Sequence, residues 1–204
     1  MLTVTSLQKR PRAARGQGTA VREEILVAAS ALLAETGSVD RISLRAVARE
    51  VGVTPMALYR YFDDLAGIVV AVKLRHYEEL AESLQHAVEH ADCTPRARLY
   101  ALAEAYSHFG IERPGAYQVL FSTPLDDPPL PHDVDVIGRR ALDVFLDTVA
   151  GHLALSRDHP DTWSKTLQLW TAIHGITHLR VMRASIVWPD LDPQIRTTVD
   201  LLFP

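Results

Sequence analysis

From Thr19 onward, apolar residues recur every three or four positions. Val21, Ile25, Ala28, Ala29, Leu32 and Leu33 share one helical face, opposed by Arg22, Glu23, Glu24 and Glu35, which predicts an amphipathic helix with one side in a core. Thr19 is placed to cap its start and Gly37 to stop it. Ser43 then caps a short second helix whose inward positions are Leu44, Val47 and Ala48. It ends at Val51-Gly52, where glycine suits a left-handed turn. Thr54 caps a third helix with Pro55 in its first position, where the missing N–H costs nothing; it runs from Met56 to Tyr61. Short helices joined in this way over a single glycine predict a helix-turn-helix.

The pattern stays helical to the end of the chain. Beyond Asp63 a long helix carries Val70, Leu74, Tyr77, Ala81, Leu84 and Val88 at alternating spacings of four and three, ending near residues 90–93. After Thr94-Pro95 another places Leu99, Leu102, Tyr106 and Phe109 inward. Pro114 starts a short helix with Tyr117, Leu120 and Phe121. Residues 123–132 hold four prolines (124, 128, 129 and 131) and read as a loop, because consecutive prolines cannot continue a helix. Longer helices follow over 134–155 and 161–183, and a short one over 193–203. No strand alternation and no internal repeat is evident. The expected fold class is all-α: an N-terminal three-helix helix-turn-helix domain and a C-terminal helical bundle. The expected divisions are a flexible basic arm over 1–18, a helix-turn-helix domain over 19–64, and a larger body over 65–204.

Composition narrows the function. The chain has 204 residues, 48% hydrophobic and 23% charged, with one cysteine, Cys93. One thiol excludes an internal disulfide framework and a cysteine-based zinc site, and suits a reducing cytoplasm. No stretch approaches the ~20 apolar residues that span a bilayer, so no membrane partner is expected. The net charge of −4 is unevenly spread: residues 1–62 hold nine Lys and Arg against five Asp and Glu. A basic module on an acidic body suggests a polyanionic partner.

Sequence-specific DNA reading needs a rod that enters the major groove while neighbouring groups hold phosphates. Thr54, Pro55 and Ala57 are slim enough for close approach, with Met56 beside them. Tyr59 and Tyr61 carry hydroxyls for phosphate oxygens, and Arg60 adds charge. Ser43 and Arg45 open the preceding helix where it would cross the backbone. Arg10, Arg12 and Arg15 supply a basic arm. Leu58 and Phe62 read as core. The stretch from Ser43 to Phe62, SLRAVAREVGVTPMALYRYF, combines a Ser/Thr cap, an apolar-Ala pair, Gly-Val-Thr, Leu-Tyr and Tyr-Phe. It resembles the N-terminal domain of the TetR family of bacterial transcriptional regulators, the likeness extending over residues 19–68.

That resemblance implies a homodimer bound to double-stranded operator DNA, with a divergent C-terminal domain that takes a small-molecule effector. The family usually places a lysine three residues after the phenylalanine. Here Leu65 stands there, after Asp63 and Asp64, and the Arg10/Arg12/Arg15 arm is expected to compensate. Trp170-Thr-Ala-Ile-His174-Gly175 resembles an element of one C-terminal subclass, with Gly175 expected to permit close helix approach. The family's interface is built from the last two long helices. Here these carry Val136, Ile137, Leu142, Phe145, Leu146, Val149 and Leu153, then Leu167, Trp170, Ile173, Ile176 and Leu179. Leu142, Phe145, Val149, Ile173, Ile176 and Leu179 are the expected contacts, and burial within one subunit is the alternative for about half of such a stripe. Effector-pocket candidates are Tyr106, Phe109, Tyr117, Phe121, Trp163, Trp170, His174 and His178, which suit a hydrophobic or aromatic ligand. For each of these residues, core packing is the alternative role.

Chemistry of other kinds finds little support. His174/His178 and His86/His90 have the i, i+4 spacing of a metal pair but lack the glutamate of a helical metalloprotease site. No nucleophile elbow or phosphate-cradling loop occurs. No catalytic residue, metal or cofactor is expected. The reading is a ligand-responsive DNA-binding regulator, a repressor released from a pseudo-palindromic operator. The alternative is a helical-bundle enzyme or interaction module without DNA binding.

Overall fold

The computed structural model describes residues 17–121 and 138–204, and every regular element among them is helical. The order is α1 (Gln17–Thr36), a 3-10 turn (Val39–Arg41), α2 (Leu44–Val51), α3 (Pro55–Leu58), α4 (Leu65–His90), α5 (Pro95–Glu112), α6 (Pro114–Phe121), α7 (Arg139–Leu153), α8 (Pro160–Met182) and α9 (Leu191–Leu202). The arm with Arg10, Arg12 and Arg15, the proline-rich stretch 123–132, and Val136 and Ile137 lie outside the described residues.

Local chemistry explains most boundaries. The Ser43 hydroxyl accepts from Ala46 N, and Gly52 closes α2 at φ +76°. Thr94 accepts from Ala97 N to open α5 ahead of Pro95. Asp64 caps α4 by accepting from Gly67 N at 2.7 Å, which gives this acid a structural role beside the segment expected to read DNA. Several boundaries differ from expectation, two of them in the N-terminal unit. Thr19 is not a cap, because α1 begins earlier, at Gln17. α3 is only four residues long, and Tyr59, Arg60 and Tyr61 form a turn after it.

Packing divides into two apolar cores. The N-terminal core gathers Ile25, Ala29 and Leu33 of α1, Val47 and Ala48 of α2, Leu58, Phe62, and Ile68, Val69 and Val72 of α4. It therefore runs past residue 64, into the second turn of α4. The C-terminal core gathers Leu80, Leu84, Leu99, Leu102, Tyr106, Phe109, Tyr117, Phe145, Val149, Leu169, Ile173, Ile195 and Val199, among others. Two helices contribute to both cores. α4 gives its first turns to one and its later turns to the other, while α6 sends Val119 into the N-terminal core and Tyr117 and Leu120 into the C-terminal one.

The buried face of α4 is the expected one at Ala81 and Leu84 but not in the turns before them. Leu74 is 45% exposed, whereas Lys73 and His76 are buried. α4 is enclosed by α1, α5, α6 and α7 along its length, so several neighbours rather than one stripe decide what is covered. Gly175 does not mediate a close approach within the chain: a Cβ there would meet nothing within 4 Å. Gly110 does, since its Cβ would lie 2.4 Å from Thr177 Cγ2 and 2.9 Å from Tyr117 Cδ2.

Candidate functional site

Most of the DNA-reading candidates among the described residues are exposed. Ser43, Arg45, Thr54, Pro55, Met56, Tyr59 and Arg60 are all exposed, Met56 to 75% and Tyr59 to 51%. Ala57 and Tyr61 are half-covered, and Leu58 and Phe62 are buried beneath them. Burial of Leu58 and Phe62 orients the segment, so its outward side chains are held by a core rather than by their own short helix. The Arg22 guanidinium lies 4.9 Å from the centre of the Phe62 ring.

A polar chain joins this unit to the body. Ser30 Oγ of α1 is 2.7 Å from His76 Nε2 on α4, and His76 Nδ1 is 3.1 Å from Glu79 Oε2. Arg75 binds Glu79 and also pairs with Glu23 of α1. Arg113, at the end of α5, lies 3.5 Å from the same carboxylate. Burial alone would raise the Glu79 carboxyl, but hydrogen bonds from His76 and Arg75 hold it below its usual range. Any shift of α4 against α1 must break this chain or carry α1 along.

The body encloses a cavity of about 740 Å³, within the range of drug-sized ligand sites. Tyr106, Phe121, Trp163 and Trp170 line it, as four of the eight pocket candidates. The other four do not. Phe109 is core, with Arg113 over its ring. Tyr117 and His174 stand behind the wall: Tyr117 Oη is 2.9 Å and Tyr106 Oη 2.8 Å from His174 Nδ1, and Trp170 Nε1 donates to Tyr106 Oη at 3.2 Å. His178 stacks on His174 with 5.6 Å between ring centres. Burial pushes both tyrosines above their ordinary 10, while burial and then the nearby His178 push His174 below 6.5. The two phenols and the His174 imidazole are therefore neutral near pH 7.

Other walls come from residues the sequence reading assigned elsewhere or passed over. Leu142 and Phe145, expected between subunits, line the cavity together with Tyr77, Leu80 and Leu146. Phe145, Val149 and Ile173 are at most 3% exposed within the single chain. They therefore have no surface to offer a second copy, which corrects their assignment as dimer contacts. Leu142 and Ile176 are half-buried, and Leu179 is 51% exposed. The signal for the missed wall was the Leu142, Phe145, Leu146 spacing on α7, which marks a helical face without saying what it meets.

Among the described residues no three His, Cys, Asp or Glu side chains gather to hold a metal ion, and no helix is long and apolar enough to cross a membrane.

Comparison with known proteins matches both halves of this arrangement. Residues 25–72 fit the model for bacterial regulatory proteins of the tetR family, and residues 99–202 the tetracyclin repressor-like C-terminal domain. Over 96 residues the chain is 28% identical to an uncharacterised HTH-type transcriptional regulator of Bacillus subtilis, covering 47% of this chain and 49% of that one. Over 115 residues it is 24% identical to an HTH-type transcriptional regulator of Mycobacterium tuberculosis, covering 55% and 49%. The chain thus aligns with about half the length of these curated relatives. The crystal structure of the regulatory protein SCO4313 superimposes with a TM-score of 0.76 at 25% identity, over 94% of this chain and 98% of that one. A TetR family regulator from Marinobacter aquaeolei VT8 shares the fold, with a TM-score of 0.70 at 18% identity over 93% and 97%. One family model falls on the exposed reading segment and its core, the other on the bundle that holds the cavity, and the chain belongs to the TetR family of transcriptional regulators, which are DNA-binding proteins and not enzymes.

Proposed function

We propose that this protein is a cytoplasmic, homodimeric repressor that leaves a pseudo-palindromic operator when a small hydrophobic or aromatic effector enters the cavity. The observation that carries the reading is the dual membership of α4. Its Ile68, Val69 and Val72 belong to the core under the reading segment, while its Tyr77 and Leu80 form part of the cavity wall. A ligand that moves those two residues acts on a rigid rod whose other end orients Met56, Tyr59 and Arg60. Linkage then requires ligand and operator to weaken each other by the same factor, typically ~1–3 kcal/mol of coupling.

The second copy is proposed to pack on α8. Trp163, Leu167, Thr171, Gly175 and Leu179 recur every four residues along it, and Met182 continues the row. The large apolar members are 36–51% exposed, more apolar surface than an isolated helix face normally leaves to water. Gly175, open on its own chain, would let a partner helix approach along this row. The Arg10/Arg12/Arg15 arm is proposed to add phosphate contacts where Leu65 replaces the family lysine.

A gel shift on the DNA flanking the protein's own coding region tests the reading. A dimer should retard a fragment whose half-sites lie one turn apart, about 34–36 Å. Release should follow addition of a compound that raises the melting temperature. Absence of any shift with duplex DNA at low salt would overturn the proposal.

A further inference from the structure

The cavity wall is graded. Its deep end is Leu80, Tyr106 and Phe145, at 2%, 1% and 3% exposure. The charged lining residues, Arg139, Asp143, Arg157 and Asp158, all come from the start of α7 or the connection from α7 to α8, where three of the four are exposed. Trp163, 48% exposed, stands with them. Asp143 and Arg157 pair with each other. Charge is thus confined to the rim and internally balanced, and the deep end has no charged lining residue.

The deep end does have a hydrogen-bonding feature that is over-subscribed. A neutral imidazole nitrogen carries either one proton or one lone pair, hence one strong hydrogen bond. Two phenols claim His174 Nδ1, at 2.8 and 2.9 Å. Tyr117 has a further acceptor in the His174 carbonyl, at 3.4 Å, and does not line the cavity. Tyr106 does line it, and Trp170 holds its oxygen in place. Tyr106 is therefore the phenol that can turn to a ligand, leaving His174 Nδ1 wholly to Tyr117. A charged ligand group at this depth would be buried without a counter-ion, since both phenols and the imidazole stay neutral.

On the reading that this cavity is the effector site, we propose that the effector is an apolar molecule with one neutral hydroxyl or carbonyl oxygen at its buried end. Tyr106 holds that oxygen by a hydrogen bond, and any ligand charge stays at the rim. Binding then tightens the His174–Tyr117 bond between α8 and α6, and α6 passes the change to the reading unit through Val119.

Equilibrium dialysis with naphthalene, 2-naphthol and 2-naphthoate, on the full chain and on Tyr106→Phe and Tyr77→Phe, tests this. Tyr77 carries the other hydroxyl on the wall. The full chain should bind 2-naphthol tightest, with 2-naphthoate no better than naphthalene. The preference of 2-naphthol over naphthalene should shrink about fivefold in Tyr106→Phe, the worth of one neutral hydrogen bond, and persist in Tyr77→Phe. Retained naphthalene binding shows that each variant is folded; should Tyr106→Phe lose it, the ranking on the full chain decides. An unchanged preference in Tyr106→Phe, its loss in Tyr77→Phe instead, or 2-naphthoate as the tightest probe would overturn the oxygen reading while leaving the cavity as a ligand site. Failure of all three probes would remove the effector cavity itself, and this inference with it.

Discussion

Two helix-interior glycines, changed to the same residue, should move stability in opposite directions. At Gly110 a new Cβ would sit 2.4 Å from Thr177 Cγ2 and 2.9 Å from the Tyr117 ring. Neither neighbour has room to retreat: Thr177 is fully buried and Tyr117 is 1% exposed. The Thr177 hydroxyl is also tied to Ile173 O at 2.7 Å and to Ser107 Oγ at 3.1 Å. Overpacking of this kind costs about 1–3 kcal/mol, and contact this close belongs at the upper end. Alanine recovers ~1 kcal/mol of helix propensity, so Gly110→Ala should lose about 2 kcal/mol net. For a chain of this size that lowers the melting temperature by roughly 4–8 °C. At Gly175 nothing lies within 4 Å, so Gly175→Ala should gain up to ~1 kcal/mol in the folded subunit. Urea unfolding at fixed protein concentration measures both. If α8 forms the dimer face, Gly175→Ala should also weaken dimerisation in sedimentation experiments while the subunit itself is stabilised. Equal shifts at the two positions would refute the assignment of Gly110 as the point of closest helix approach.

Other consequences are equally direct. His174 and His152 are both held below their ordinary 6.5, mainly by burial; a lowered histidine pKa means that the unfolded chain binds protons first, so stability is full above that value and falls as pH drops below it. His174→Gln should flatten part of that slope in urea titrations between pH 7 and 5, and an unchanged slope would assign it elsewhere. Arg60→Ala should leave stability within about 0.5 kcal/mol but reduce the salt slope of operator binding by roughly 0.9 if Arg60 holds one phosphate. Leu58→Ala, at a fully buried position, should instead cost about 2–5 kcal/mol and lose operator binding through unfolding, separable by circular dichroism. Ala154 closes α7 at φ +54°, a left-handed conformation that costs a non-glycine residue ~1 kcal/mol or more. Ala154→Gly should therefore raise the melting temperature slightly, and a clear drop would contradict the strain.

What the chain declares in its own order is what adjacent residues settle. Ser43 and Gly52 delimit α2, Thr94 and Pro95 open α5, and Pro55 opens α3, because caps and turns are decided within a few residues of backbone. The reading segment was legible for the same reason: its exposed and buried members alternate within one turn of Leu58. Its length was not, since four helical residues cannot sustain themselves and only the core beneath them decides where the helix stops. The face of α4 was misjudged at Leu74, Lys73 and His76 because four helices surround that rod, and periodicity in one helix does not say how many neighbours it has. The same gap explains Phe145, Val149 and Ile173: an apolar stripe is identical in sequence whether it meets its own chain or another. The close approach at Gly110, the cavity wall shared by α4, α5, α6, α7 and α8, and the meeting of Tyr106, Tyr117 and His174 join residues far apart in the chain, Tyr106 and His174 being 68 positions apart. Sequence alone therefore determined the helices, those of their ends that a cap or a turn residue marks, and the exposed positions of the reading segment, all fixed by short-range backbone chemistry. Tertiary structure decided the site that would govern that segment, because a cavity exists only between elements that the chain brings together from a distance.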